Sequence, residues 1–234
     1  MALLFVLSIG AFFLASKETK KLTVTDDTPN VYLTFDDGPS VNTEKVLDIL
    51  SEAGVKGTFF VVGKTGNYEK ELYKRIVNEG HAIGIHSYTH NTSKIYKTMN
   101  DYLKDFTKIE EYIMEITGQR SNICRMPGGT YTYYCSKNLR EEILKYYYEN
   151  GYACFDWDID PKDSGSYTIN ASQLSSAIIR QARNFKGKDI VILMHDDSLR
   201  TSLPIALESI ITYFKETGYN FDVLSSDVYI SSRK

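Results

Sequence analysis

The sequence predicts an α/β fold made of parallel strand–helix repeats, and three observations carry that expectation. Short β-branched and apolar runs alternate with longer stretches of helical periodicity. Glycines stand where those helices should stop. A chain of 234 residues with 42% hydrophobic content can bury one substantial core, so a single domain is expected. Strands are expected over 31–35, 57–62, 82–85, 122–125, 152–157, 189–194 and 221–224. Helices are expected over 42–53, 68–79, 99–117, 136–149, 170–184 and 203–217, with Gly80, Gly118, Gly151 and Gly218 at four of their ends. Such a repeat suits either a doubly wound sheet or a closed barrel. Both gather the carboxyl ends of the strands on one face, where α/β enzymes place their chemistry.

The N-terminus departs from this pattern. Ala2 to Ala15 carry no charge, and Ser16 to Lys21 are strongly polar. The apolar run has the length of a signal-peptide core and falls short of the roughly 20 residues that span a bilayer. Export is the first reading. No Lys or Arg precedes the run, so the remnant of a membrane anchor is a second reading, and a helix packed on the fold a third. Residues 1–21 are therefore expected to be a signal peptide or anchor remnant, 22–30 a linker, and 31–234 the folded domain. The expected location is extracytoplasmic, secreted or anchored at the cell surface.

Val31-Tyr32-Leu33-Thr34-Phe35 reads as a strand, and Gly38-Pro39-Ser40 as the turn that ends it. Between them, Asp36 and Asp37 are adjacent carboxylates, which repel and need a reason to ionise together. A bound cation is one reason, and plain turn chemistry is the rival explanation. After the apolar run Ala82-Ile83-Gly84-Ile85 come His86 and His90, two of only four histidines in the chain. Four-residue spacing brings both rings to one side of a helical turn or tight loop. Joined to an Asp at an earlier strand end, they make a two-His, one-carboxylate ligand set with open positions.

A net charge of -3 with no basic block interleaved with aromatics disfavours a nucleic-acid partner. Cys124, Cys135 and Cys154 are too few for a disulfide framework or a cysteine zinc site, and buried thiols are the expectation.

Five segments then occur in a telling order: Thr34-Phe35-Asp36-Asp37-Gly38-Pro39, His86-Ser87-Tyr88-Thr89-His90, Arg125-Met126-Pro127-Gly128-Gly129, Trp157-Asp158-Ile159-Asp160-Pro161-Lys162-Asp163 and Leu193-Met194-His195. This is the motif order of polysaccharide deacetylases, and from roughly Val31 to Ser226 the chain resembles a NodB-homology domain of carbohydrate esterase family 4. The resemblance implies a distorted (β/α)7 barrel. It implies one divalent metal held by Asp37, His86 and His90, zinc first, with cobalt, nickel, iron or manganese as alternatives. It assigns Asp36 as general base, Arg125 as the positive charge that orients it, His195 as general acid and Asp163 as the partner that raises the His195 pKa. Pro127, Gly128, Leu193 and Trp157 fall to the oxyanion and substrate positions, with the Gly128 N–H as oxyanion donor and Leu193 beside the acetyl methyl.

The implied activity is removal of N-acetyl groups from amino sugars of a cell-wall polymer, peptidoglycan first, by a monomer. An O-acetyl xylan-type esterase, another carbon–nitrogen hydrolase and a non-catalytic carbohydrate-binding module are the alternatives. Met126 replaces the third motif's first Pro, and two further positions depart from the family pattern: Gly128 stands where an aromatic is common, and Ser164 where a Trp usually follows the motif's last Asp. Both leave the substrate groove more open while sparing the metal and acid–base set.

Overall fold

Residues 28–165 and 169–228 are described by the computed structural model, so the expected leader and residues 22–27 of the expected linker lie outside the described residues, and Asn30 already belongs to the first strand. The first strand, β1 (Asn30–Asp36), is buried from Val31 onward and forms the centre of the sheet. It is followed by α1 (Val41–Ala53), β2 (Thr58–Val62), α2 (Asn67–Asn78), β3 (Ala82–Ser87), α3 (Thr92–Ile95), α4 (Met99–Thr117) and β4 (Ile123–Cys124). The second half adds α5 (Lys137–Glu149), β5 (Ala153–Cys154), α6 (Ala171–Asn184), β6 (Ile190–His195), α7 (Ser202–Glu216) and β7 (Asn220–Phe221).

All strand pairs are parallel, in the order β5-β4-β3-β2-β1-β6, with β7 on β1. The sheet curls until its two ends meet. Among the described residues the closure is a single parallel bridge, Ile159 to Ile192, with the Leu193 N–H donating to the Ile159 carbonyl at 2.9 Å.

Side-chain alternation along the strands separates two apolar clusters and decides between barrel and doubly wound sheet. Val31, Leu33, Phe35, Phe59, Val61, Ile83, Ile85 and Ile192 point outward into the cluster shared with the helices. Tyr32, Phe60, Ile123, Phe155, Val191 and Leu224 form a second cluster with no helical member. A doubly wound sheet would have helices over both faces. Here one face packs on itself, as in a barrel.

Gly84 shows how tight that interior is: a Cβ there would lie 2.5 Å from Phe60 Cδ1 and 3.3 Å from Ile123 Cγ1. Gly84→Ala is expected to cost about 1–3 kcal/mol by overpacking, read as a lower urea midpoint at unchanged m-value.

The elements fall close to their expected positions, with two kinds of difference. The strands β4, β5 and β7 are only two residues long. For β7 the cause is competition for one edge: it pairs with Asn30 and Val31, and from Thr34 onward that edge of β1 belongs to β2. The one-turn α3, which buries only Ile95, is too short to leave a periodic signal. The helix α1 begins directly behind the Asp36-Asp37 turn through a capping box between Ser40 and Thr43, and Gly54 in the left-handed region ends it. The cysteines are all buried thiols, Cys124 and Cys154 being register partners across β4 and β5.

Candidate active site

The alternation that fills the barrel also aims the chemistry. Counting in twos along β1 from Tyr32 reaches Asp36, along β3 from Gly84 reaches His86, and along β6 from Val191 reaches Leu193 and His195. Asp36 and His195 are register partners, as are Thr34 and Leu193. These side chains therefore converge at the carboxyl-end mouth of the barrel. With Asp37, His90, Gly128 and Trp157 they line one open groove of about 850 Å³.

Below the groove, Arg125 is the largest fully buried side chain, and it occupies the barrel interior. Its Nη1 donates to Asp36 Oδ1 at 2.9 Å and to Thr34 Oγ1 at 2.7 Å. Its Nε and Nη2 donate to the Phe155 and Asp156 carbonyls, at 3.0 and 3.1 Å. The guanidinium lies 4.3 Å from the Phe60 ring centroid, so a cation held by four hydrogen bonds and a ring face stands beside the Asp36 carboxylate. Burying a charge this deeply is tolerable only because it is paired and satisfied.

Asp37 turns away from its neighbour. Its φ of 75° is in the left-handed region, which a non-glycine residue enters at a cost. Its N–H donates to the Phe60 carbonyl at 3.2 Å. The result is that Asp37 Oδ1 sits 3.4 Å from His86 Nε2 and 3.1 Å from His90 Nε2. The two imidazoles stack, with centroids 5.2 Å apart.

The three ligand atoms lie within 4.8 Å of one another, and Asp37 Oδ1 is buried without a hydrogen-bond partner. His86 Nδ1 lies 2.8 Å from the Arg125 carbonyl, which fixes the tautomer with the proton on Nδ1 and leaves the Nε2 lone pair facing Asp37. An orphaned carboxylate oxygen and two imidazole nitrogens aimed at one point fit a divalent cation. Without one, burial pushes the Asp37 pKa up, but the adjoining His86 ring, with His90, holds it well below the usual carboxylate range. Burial opposes a charged His86, yet the Asp36 and Asp37 carboxylates raise its pKa. Burial and the neighbouring His86 lower that of His90.

On the neighbouring strand β6, His195 Nδ1 is 2.7 Å from Asp163 Oδ1, and the His195 N–H donates to Asp163 Oδ2 at 3.0 Å. Asp163 is 1% exposed, so one face of this ring is held by a buried carboxylate. Burial alone would lower the His195 pKa. The Asp163 hydrogen bond and charge, helped by Asp36 and Asp37, overcome it and raise the pKa to about 9.

Pro127 and Gly128 form the centre of a turn closed by the Gly129 N–H on the Met126 carbonyl at 2.8 Å. Gly128 has φ 80°, the third-position geometry of a type II turn that favours glycine. The Pro127 carbonyl is anchored by Tyr96 Oη at 2.9 Å.

A family model described as polysaccharide deacetylase matches residues 23–147, more than half of the chain. The chain belongs to the polysaccharide deacetylase family. It is 36% identical over 198 residues to the putative polysaccharide deacetylase YheN of Bacillus subtilis, covering 83% of this chain and 66% of that protein. It is 31% identical over 216 residues to the peptidoglycan-N-acetylmuramic acid deacetylase PdaA of the same organism, covering 90% and 72%. The catalytic domain of a peptidoglycan N-acetylglucosamine deacetylase from Eubacterium rectale superposes with a TM-score of 0.81 at 27% identity, covering 88% of this chain and 93% of that one. The chain thus spans about two thirds of the length of YheN and slightly more of PdaA.

Within this deacetylase site, two buried acids escape a sequence reading. Asp105 on α4 accepts four hydrogen bonds from the loop that carries His90: Ser87 Oγ at 2.5 Å, Tyr88 N at 2.8 Å, Thr89 N at 2.9 Å and Thr89 Oγ1 at 2.6 Å. Ser87 Oγ in turn accepts the His90 N–H at 2.9 Å. The only sequence signal is a carboxylate on the buried face of an otherwise amphipathic helix. Asp105→Asn would point an amide donor at donors, so cation affinity is expected to fall about 10–100-fold, read by cation titration with the helical circular dichroism retained.

Asp196, next to His195, is fully buried with its carboxylate over the Asp36-Asp37 turn; a Cβ on Gly38 would lie 2.4 Å from its Oδ2. Thr43 Oγ1 donates to it at 2.5 Å, and burial pushes its pKa up to about 7. Asp158 Oδ2 accepts the Val191 N–H at 2.9 Å, and Asp160, which lines the groove, pairs with Lys162 at 2.6 Å.

Proposed function

We propose that this chain is a metal-dependent hydrolase that removes N-acetyl groups from amino sugars of a cell-wall polysaccharide, peptidoglycan first, releasing acetate. The observation that carries the reading is the gathering, in one groove, of the Asp36–Arg125 pair and the His195–Asp163 pair, with the Asp37-His86-His90 cluster beside them.

Asp37, His86 and His90 would hold the cation. Once bound, a divalent cation supplies Lewis acidity, acidifying water and polarising a carbonyl. Asp36, oriented by its hydrogen bond from Arg125 Nη1, takes the proton of the water that attacks the acetamide carbon. The Gly128 N–H supports the oxyanion, and Leu193 forms the wall beside the acetyl methyl. Trp157 lines the groove and packs on the Arg125 guanidinium at 5.6 Å. As the C–N bond breaks, the protonated His195 ring gives its proton to the leaving amine, and acetate and a free amino sugar result.

Zinc is the first candidate for the cation, with cobalt, nickel, iron and manganese accepted by the same donors. The working form is a monomer acting outside the cytoplasm, where the polymer is. No helix among the described residues is long and apolar enough to cross a membrane.

The test is acetate release from peptidoglycan, chitooligosaccharides and O-acetyl xylan by protein stripped with a chelator and then reloaded with single metals. Activity is expected to vanish on stripping and return with metal. Release from the xylan alone would make the chain an esterase, and no release under any cation would overturn the enzymatic reading.

A further inference from the structure

Gly128 removes a side-chain wall from the groove, and the structure fills that place from elsewhere. The segment after the Pro127-Gly128 turn carries Tyr131, Tyr133 and Tyr134, all exposed, at 80%, 85% and 48%. Single exposed aromatics need no explanation. Two of these are different: Tyr133 and Tyr134 pack ring against ring with centroids 4.0 Å apart, their hydroxyls 2.5 Å from each other, and both line the same groove as Gly128, Trp157 and the metal cluster. Tyr134 Cδ2 comes within 3.8 Å of the point where a Cβ on Gly128 would stand. The aromatic surface absent at residue 128 is thus supplied from further along the chain.

The segment is built to hold this pair still. Thr130 N donates to Asp156 Oδ1 at 2.9 Å, and Thr132 N donates to the Gly129 carbonyl at 3.2 Å. Thr132 and Cys135 on either side are each 5% exposed. Buried Thr132 and Cys135 flank the pair and anchor its backbone, so the two outward rings stand at a set place on the rim of the groove. Tyrosine suits such a platform, because it offers a rigid amphipathic body with few rotatable bonds to immobilise and a hydroxyl for the polar rim. Among the described residues, the facing rim at Lys162, Ser164 and Arg200 carries no aromatic ring.

We propose that the Tyr133–Tyr134 pair is a sugar-stacking subsite that binds a pyranose ring adjacent to the one being deacetylated, and so makes the enzyme prefer polymers over single sugars. The apolar C–H face of that neighbouring ring lies on the tyrosine pair while its hydroxyls reach the polar rim. The inference rests on the deacetylase reading for the identity of the groove's occupant.

The test compares wild type with Tyr133→Ala, Tyr134→Ala, the double variant and Tyr134→Phe on N-acetylglucosamine oligomers from one to five rings. Wild type is expected to favour the tetramer over the monomer, and the double variant to reduce that ratio of kcat/KM about tenfold, mainly through KM, with Tyr134→Phe restoring most of it. A ratio unchanged in the double variant, or a wild type indifferent to length, would overturn the subsite.

A second readout separates this failure from failure of the deacetylase reading. Trp157 is the only tryptophan in the chain and lines the same groove. Its fluorescence reports tetramer binding in an Asp36→Asn background without turnover. There too the double alanine change is expected to weaken tetramer affinity about tenfold. Unchanged affinity would sink the subsite whatever the acetate assay gives.

Discussion

Asp36→Asn is expected to lower acetate release by about 10²–10⁴-fold while the protein still takes up one divalent cation. The two adjacent aspartates differ in what surrounds them. Asp36 Oδ1 is bound to Arg125 at 2.9 Å, and its Oδ2 is 3.9 Å from His86 Nε2. Asp37 Oδ1 is the atom aimed between both imidazoles. Asparagine keeps an acceptor for Arg125 but cannot take a proton, so the base is removed and the ligand set is left whole. The substitution also leaves the buried Arg125 charge without its counter-ion. Breaking a buried pair costs about 3–5 kcal/mol when nothing compensates, and the remaining hydrogen bonds and ring contacts of Arg125 should hold the loss below that. Kinetics belong at a temperature where circular dichroism shows the variant folded. Wild-type turnover in that folded variant would remove Asp36 as base, and loss of cation uptake would make it a ligand instead.

Much of this architecture was legible because strands and helices announce themselves by period. The runs at Val31, Ala82 and Ile190 are central strands with unbroken apolar character, and they were readable to within a residue or two. The choice between open sheet and barrel was not in the periodicity, since both bury strands on two faces. Resemblance favoured the barrel, and the helix-free cluster of Tyr32, Phe60, Ile123, Phe155, Val191 and Leu224 shows it physically. The short strands were overextended because edge competition and the Ile159 closure are tertiary effects with no local signature.

At the site, residues on motifs were visible, and those acting from behind them were not. Asp105 reaches the His90 loop from a helix later in the sequence, and Asp196 lies against Gly38 from the far end of the chain. Tyr133 and Tyr134 fall in none of the five motifs and are two of 18 tyrosines spread through the sequence. Their relation to the missing side chain at Gly128 exists in three dimensions alone.

The second large effect concerns His195 and carries its own pH signature. His195→Ala is expected to reduce N-acetyl hydrolysis by about 10²–10⁴-fold and O-acetyl hydrolysis by clearly less. An amine cannot leave as an anion near neutral pH, whereas an alcohol leaves more readily with little protonation. Equal losses on both substrates would mean that His195 orients the substrate and does not donate a proton. In the wild type the donor must be protonated, so the rate should fall as pH rises through the raised His195 pKa of about 9. Part of that rise comes from Asp36 and Asp37. A cation bound at Asp37 offsets its share, which places the limb of the loaded enzyme at or below that value. Removing the main support tests the assignment. In Asp163→Asn the burial that disfavours a charged ring remains while the hydrogen-bonded carboxylate is gone, so the alkaline limb should move to lower pH. A pH–rate profile of kcat/KM on a chitooligosaccharide reads the shift directly, and a limb that stays in place in Asp163→Asn would assign it to a group other than His195.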